Sequence, residues 1–166
     1  MFELKPLSPG GIDAALEKAE RYRLLNEPWE AESICLDVLN VDPGRQEAVI
    51  MLLLALTDQF GHGPASLVRH AREVLYQISD DYQRAYYEGI LCERQGKALL
   101  DRQSPGAGPN VYEWIRDAMD CYEKAAAIRP PGNDDALLRW NTCVRVLDRH
   151  PDVRPGTVDY QPLTLE

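Results

Sequence analysis

One ladder of residues occurs twice in this chain at identical spacing. The first copy steps by four, three and five residues through Ala31, Cys35, Val38 and Pro43. The second copy takes the same steps through Ala118, Tyr122, Ala125 and Pro130. Steps of three and four place residues on one face of a helix, and proline closes that helix. Such a repeat predicts stacked helix pairs, because one pair cannot bury its apolar face alone.

A small residue lies upstream of each ladder and is followed three positions later by a larger one. These pairs are Ala19 with Tyr22, and Gly89 with Cys92. Small side chains let two antiparallel helices approach closely, so each pair is expected on the helix that precedes its ladder. The two ladders and the small residues together resemble the tetratricopeptide repeat (TPR) family, whose first helix carries a small residue and an aromatic one before the ladder.

The resemblance covers about residues 12–149 and implies an all-α fold. Its expected form is a right-handed superhelix of antiparallel helix pairs, a TPR-like α-solenoid of three degenerate repeats and a capping helix, with about seven helices in total. The middle repeat departs from the pattern, since Leu53 replaces its small residue and Ser79 its proline. The third is longer between Gly89 and Ala118 than the first is between Ala19 and Ala31.

Proline, glycine and capping residues predict where each helix begins and ends. Asn26 is expected to cap the second helix, with Pro28 in its first turn. The predicted helices cover about residues 12–25, 28–40, 46–59, 64–78, 81–100, 110–128 and 134–149. The remaining segments are predicted as an extended leader at 1–11, a loop insertion at about 101–109 and an irregular tail at 150–166.

Charge and cysteine usage narrow the classes of partner and compartment. The net charge of −9 disfavours nucleic acid, which binds mainly through Lys and Arg, and also an anionic membrane surface. The start of the chain lacks the pattern of a signal peptide, and the most apolar stretch, 48–56, is too short to span a bilayer. Four scattered cysteines without a Cys-x-x-Cys pair indicate reduced thiols in the cytoplasm.

No sequence motif indicates catalysis, a metal or another cofactor. The chain has no phosphate-binding loop, no nucleophile elbow and no His-Glu-x-x-His pair. His62 and His70 could approach one another, but two histidines without a third ligand are more typical of a protein surface. We therefore expect a protein that is not an enzyme.

The resemblance implies a concave groove lined by the first helix of each pair. The partner-binding residues expected there are Leu16, Glu20, Arg23, Ile50, Leu54, Tyr86 and Ile90. Asp13 and Glu93 are further candidates on the same helices. The Lys, Asn and Arg clamp with which some family members hold a C-terminal carboxylate is absent. The sequence interpretation is a non-enzymatic protein–protein interaction scaffold. Its groove is expected to be apolar with an acidic edge, and to bind a peptide or helix that carries apolar or basic residues.

Several alternatives remain open at this stage. The chain could self-associate through an uncovered face as a structural module, or, with less support, be a helical enzyme or metal-binding protein. The final helix, the loop or the tail could cover the groove. Trp114 is expected to pack against the lengthened fifth helix, the alternative being an exposed anchor for a partner.

Overall fold

The computed structural model describes residues 1–157, and this part of the chain is all-α, with seven α-helices and no β-strand. A single 3-10 turn, Pro9–Gly11, precedes the first of them. The helices are α1 (Ile12–Leu24), α2 (Pro28–Val41), α3 (Gln46–Thr57), α4 (Ser66–Leu75), α5 (Asp81–Asp101), α6 (Gly108–Ala127) and α7 (Asp135–Arg149). The prediction of an all-α chain with about seven helices is confirmed.

The helix ends follow local chemistry, but the cap of α2 departs from the prediction. The Asp80 carboxylate caps α5 by accepting a hydrogen bond of 2.8 Å from the backbone N–H of Gln83. Asn26 does not cap α2: its φ of 59° is left-handed, and Glu27 precedes the helix without a side-chain cap. Asparagine tolerates this conformation better than most residues, and it therefore turns the chain between α1 and α2.

The fourth helix is shorter than predicted. It begins at Ser66 and ends at Leu75, whereas the sequence pattern favoured 64–78. The backbone N–H of Ile78 bonds to the carbonyl of Leu75, so a turn replaces the last helical residues. Ile78 is nevertheless buried, because that turn folds its side chain back into the core.

Each helix packs against the next one along the chain, and α1–α3 and α3–α5 also contact each other. The central helix of this arrangement is α3, whose apolar residues are buried on most sides, as its all-round apolar character predicts. A main core includes residues of α1 to α7, and a smaller cluster comprises Ile12, Leu16, Val38 and Ala48. The small residues before and within the ladders, Ala19, Ala31 and Ala118, are all fully buried.

Glycines allow α5 and α6 to approach each other closely. A Cβ atom at Gly89 would lie 2.6 Å from Cδ1 of Tyr122, and one at Gly96 would lie 2.9 Å from Cδ1 of Ile115. Trp114 packs at the same interface beside Gly96, and the Arg72 guanidinium lies 5.9 Å from its ring centroid. The packing role predicted for Trp114 therefore agrees with the structure.

The segments after α5 and α7 are anchored to the helices. Arg102 donates a hydrogen bond of 2.9 Å to the backbone carbonyl of Phe60, which ties the loop to the end of α3. Val153 is buried, and the Asp152 carbonyl lies so close to Gly108 that a Cβ there would be 2.6 Å from it. The part of the predicted tail at 158–166 lies outside the described residues.

No helix within residues 1–157 combines the length and apolar character that crossing a bilayer requires.

Candidate functional site

Side chains of α1, α5 and α7, together with Asp58 at the end of α3, form two groups of ion pairs that meet at the consecutive residues Glu93 and Arg94 of α5. We call this surface the charged strip, and it consists of Arg23, Asp58, Glu93, Arg94, Lys97 and Arg139. Arg23 belongs to α1 and Arg139 to α7, so the strip includes residues of the first and last helices of the described chain. Two carboxylates, one at each half, organise it.

Asp58 organises the first half, at the C-terminal end of α3. It accepts a hydrogen bond of 2.7 Å from Nε of Arg23 and one of 2.5 Å from Nη1 of Arg94. The same Nη1 lies 2.6 Å from Oγ1 of Thr57 and 3.2 Å from the Leu54 carbonyl oxygen. The negative end of a helix dipole favours cations, so the end of α3 attracts both guanidinium groups.

Glu93 organises the second half and is almost entirely buried, with a relative exposure of 1%. Its Oε2 atom accepts a hydrogen bond of 2.6 Å from the Tyr122 hydroxyl. Its Oε1 atom pairs with Nζ of Lys97 and lies 3.3 Å from Nη1 of Arg139. A buried carboxylate needs such partners to offset its lost hydration, and two of them, Tyr122 and Arg139, connect α5 to α6 and α7.

The pKa directions agree with this geometry. Burial, followed by the charge of Glu93, raises the pKa of Tyr122, which keeps its hydroxyl protonated as a donor. Burial acts to lower the pKa of Arg139, but the charge of Glu93 opposes it and the pKa is raised overall. Burial lowers the pKa of Arg94, although Asp58 opposes the shift.

Tyrosines lie beside the second half of the strip. The Tyr86 ring lies 6.0 Å from the ring of Tyr82 in a stacked arrangement, and 5.1 Å from that of Tyr87 in an edge contact. Its centroid is also 6.0 Å from that of Tyr122. The strip therefore combines charged groups with an aromatic surface on α5, a mixture typical of protein interfaces.

The structure places the predicted binding residues in two environments. Arg23 belongs to the strip, Tyr86 contacts it, and the carbonyl oxygen of Leu54 bonds to it. The side chains of Leu54 and Ile50 are partly buried, and Glu20 is exposed on α1.

Leu16 and Ile90 are core residues, and their prediction as partner contacts is corrected here. Leu16 packs in the smaller cluster with Val38 and Ala48, and Ile90 is buried in the main core. Both positions lie where neighbouring helices meet, so their side chains are not available to a partner. Of the further candidates, Asp13 pairs with Arg45 and Glu93 belongs to the strip.

Sequence reasoning missed Asp58, Arg94, Lys97 and Arg139 as members of this surface. Two of them were within reach of helical periodicity. Extending the predicted face of α3 by four residues from Leu54 gives Asp58, and extending that of α5 by four from Glu93 gives Lys97. Arg139 lies on α7, to which only a capping role was assigned.

Other reactive side chains do not form a second site in the described chain. Cys35, Cys92, Cys121 and Cys143 are buried free thiols. Burial raises the pKa of Cys35 to about 12 and that of Cys143 to about 12, so both are neutral near pH 7. Among residues 1–157, no group of three or more His, Cys, Asp or Glu side chains is placed to hold a metal ion.

The comparisons with known proteins add no relative to this description. No protein-family model matches the chain, and neither a curated protein nor a solved structure matches it.

Proposed function

We propose that this protein is a non-enzymatic interaction module that holds a linear segment of a partner protein on the charged strip. The observation that supports this most is the composition of the strip, which brings together charged groups from α1, α5, α7 and the end of α3, all partly exposed except Glu93. A linear segment crossing these helices would contact polar groups and the Tyr86 ring at successive positions. Such contacts give both orientation and apolar burial.

We further propose that the helices form a TPR-like right-handed superhelix with α1, α3, α5 and α7 on its inner side. The contacts of α3 with both α1 and α5 support this arrangement, since alternate helices share an inner layer in such stacks. Buried small residues at the ladder positions, such as Ala19 and Ala118, support it as well. The same architecture favours a binding function, because solenoids present long surfaces to their partners.

The chemistry of the strip supports binding over catalysis. Its carboxylates, Asp58 and Glu93, are each held by two cations and so are poorly placed to act as bases. No thiol or hydroxyl nucleophile pairs with a histidine in the hydrogen bonds of residues 1–157. The four free thiols fit the reducing cytoplasm as the working compartment.

The direct test is selection from an unbiased library of displayed random peptides on the immobilised full-length chain. We expect peptides to be retained by the wild type and lost on Tyr86→Glu or Leu54→Glu, because a new carboxylate would disturb the apolar part of the contact. The matched control is Tyr76→Glu, since Tyr76 is an exposed aromatic residue just after α4 and outside the strip. Circular dichroism should show the same helical content in all four proteins.

Equal retention by the wild type and by the Tyr86 and Leu54 variants would exclude the strip and the apolar side chains beside it as the binding surface. Retention of no peptide at all would contradict the interaction module itself.

Self-association is a second candidate, and exposed apolar side chains favour it. Ile128 and Leu138 lie on either side of the turn between α6 and α7 and are 55% and 63% exposed. Paired copies would bury them and gain the hydrophobic free energy of that area. Sedimentation across a concentration series decides this point: self-association predicts a mass that rises with concentration and falls back in Leu138→Glu, whereas a constant monomer mass would exclude it.

A further inference from the structure

The charged strip contains more positive than negative groups, although the chain as a whole has a net charge of −9. Arg23, Arg94, Lys97 and Arg139 share only two carboxylates. Burial lowers the pKa of Arg94, Asp58 opposes this shift, and the positive charges of Arg23 and Arg139 add to it. The six side chains of the strip, four positive and two negative, therefore carry a net positive charge among themselves.

The positive groups are also the more accessible ones in the second half of the strip. The Lys97 and Arg139 side chains are 37% and 34% exposed, whereas the Glu93 carboxylate between them is 1% exposed. In the first half, the exposures of the charged side chains are similar to one another. A partner that approaches the second half therefore meets ammonium and guanidinium groups before it meets a carboxylate.

Several donors of these cations have no acceptor among residues 1–157. All hydrogen bonds of Arg94 leave from Nη1, so its Nε–H and Nη2 groups bond to none of those residues. The ammonium group of Lys97 uses one of its three N–H donors, toward Glu93. Planar guanidinium groups with open N–H donors match the geometry of carboxylates.

We propose that the segment held on the charged strip is acidic, and that its Asp or Glu side chains accept hydrogen bonds from Arg94, Lys97 and Arg139. This inference rests on the proposed function and identifies the chemistry of the partner. It replaces the expectation of an apolar or basic partner, which followed from the acidic edge predicted for the groove. Apolar residues between the acidic ones would lie against the Tyr86 ring and the partly buried Leu54.

A protein segment fits this surface better than a nucleic acid does. Both carry negative charge, but the rest of this acidic chain would repel a long phosphate backbone. A short acidic segment confines its charge to the strip and supplies apolar side chains to the tyrosines. A labelled oligothymidylate is therefore included in the test as a competing ligand.

The experiment sequences the random peptides that the wild-type protein retains and compares their composition with that of the input library. We expect enrichment of Asp and Glu, depletion of Lys and Arg, and release of the peptides by moderate salt. Retained peptides are then resynthesised with amidated C-termini and titrated by fluorescence anisotropy. If amidation leaves the affinity unchanged, the interaction is assigned to side-chain carboxylates. If amidation abolishes binding, that assignment is contradicted.

Matched variants locate the contact. Lys97→Met should lower the affinity for the acidic peptides by about fivefold, which is the effect of losing a partly exposed ion pair. Lys97→Arg keeps the positive charge and should bind them as the wild type does. Lys124→Met is the control, because Lys124 is exposed on α6 and contacts no member of the strip. Thermal unfolding of each variant separates lost binding from lost folding.

The outcomes distinguish the inference from the proposed function. Retained peptides that are neutral or basic, yet depend on Tyr86 and Leu54, would overturn the acidic partner and leave the interaction module standing. Tighter binding of the oligothymidylate than of any peptide would overturn the inference in favour of nucleic acid. Failure to retain peptides at all would contradict the proposed function and, with it, the inference.

Discussion

The first helix pair, α1 and α2, and the third, α5 and α6, carry the same spacing of ladder residues but different side chains at those positions. At the second position, α2 carries Cys35, whereas α6 carries Tyr122. Cys35 is a buried thiol that burial keeps neutral, and it acts as a small apolar side chain. Tyr122 is also fully buried, but its hydroxyl reaches across to Glu93 on α5.

The two residues therefore have different roles: Cys35 only packs, whereas Tyr122 packs and also links two helices through a hydrogen bond. Both ladders bury a small residue at their first position, Ala31 in α2 and Ala118 in α6. Only the third pair brings a buried carboxylate into the helix interface, and α5 supplies three of the six residues of the charged strip. The first pair contributes Arg23 alone, through a partly exposed ion pair with Asp58. We therefore expect the molecule to be most sensitive to substitution in the third pair.

The largest effect is expected for Glu93→Ala. The substitution leaves the buried Tyr122 hydroxyl without an acceptor, opens a cavity and removes the shared partner of Lys97 and Arg139. We expect the free energy of unfolding to fall by about 3 kcal/mol, measured by urea denaturation. Glu93→Gln is the control, since its amide oxygen can still accept from Tyr122, and it should be clearly less destabilised. Equal stability of Glu93→Ala and the wild type would disprove the linkage.

The next effect is expected for Gly89→Ala. Its new Cβ would overlap the Tyr122 ring, which has no room to move inside the core. The energetic cost of overpacking should exceed the stabilisation that alanine gives a helix relative to glycine. We therefore expect the free energy of unfolding to fall by about 2 kcal/mol. Gly96→Ala is the matched case on the same helix, where the neighbour is the flexible end of Ile115. If Gly96→Ala is destabilised as much as Gly89→Ala, the close approach to Tyr122 has no special role.

The smallest effect is expected for Asp58→Asn, which weakens the link between the first pair and α5. Asp58 is 22% exposed, and both arginines that it binds can reach water. We expect a loss of about 1 kcal/mol or less, and a smaller loss at high salt, by the same denaturation measurement. A loss as large as that of Glu93→Ala would mean that the two halves of the strip are equally important for stability.

The helices could be predicted from sequence because their signals are local. Prolines, glycines and steps of three and four residues gave the seven helices, and only the limits of α4 and the cap at Asn26 differed noticeably. These exceptions depend on tertiary packing or on a single backbone angle. Propensity at one residue does not determine either of them.

The charged strip could be predicted only in part because its ion pairs join residues far apart in sequence. The family resemblance implied Arg23 and Tyr86 as surface residues, but it also implied Leu16 and Ile90, which are buried in the core. Periodicity defines a face of a helix and does not tell how neighbouring helices divide that face between core and surface. The pairing of Asp58 with Arg94, for example, follows only once α3 and α5 are in contact.

The most direct test of the interaction surface is an NMR titration of the isotope-labelled protein with a retained acidic peptide. The Nε–H signals of Arg23, Arg94 and Arg139 report on the strip from α1, α5 and α7. We predict that the Arg94 and Arg139 signals shift in a saturable manner and with one common dissociation constant, while Arg145, exposed on α7, stays unchanged. Saturable shifts confined to residues outside the strip, such as the turn between α6 and α7, would contradict the account.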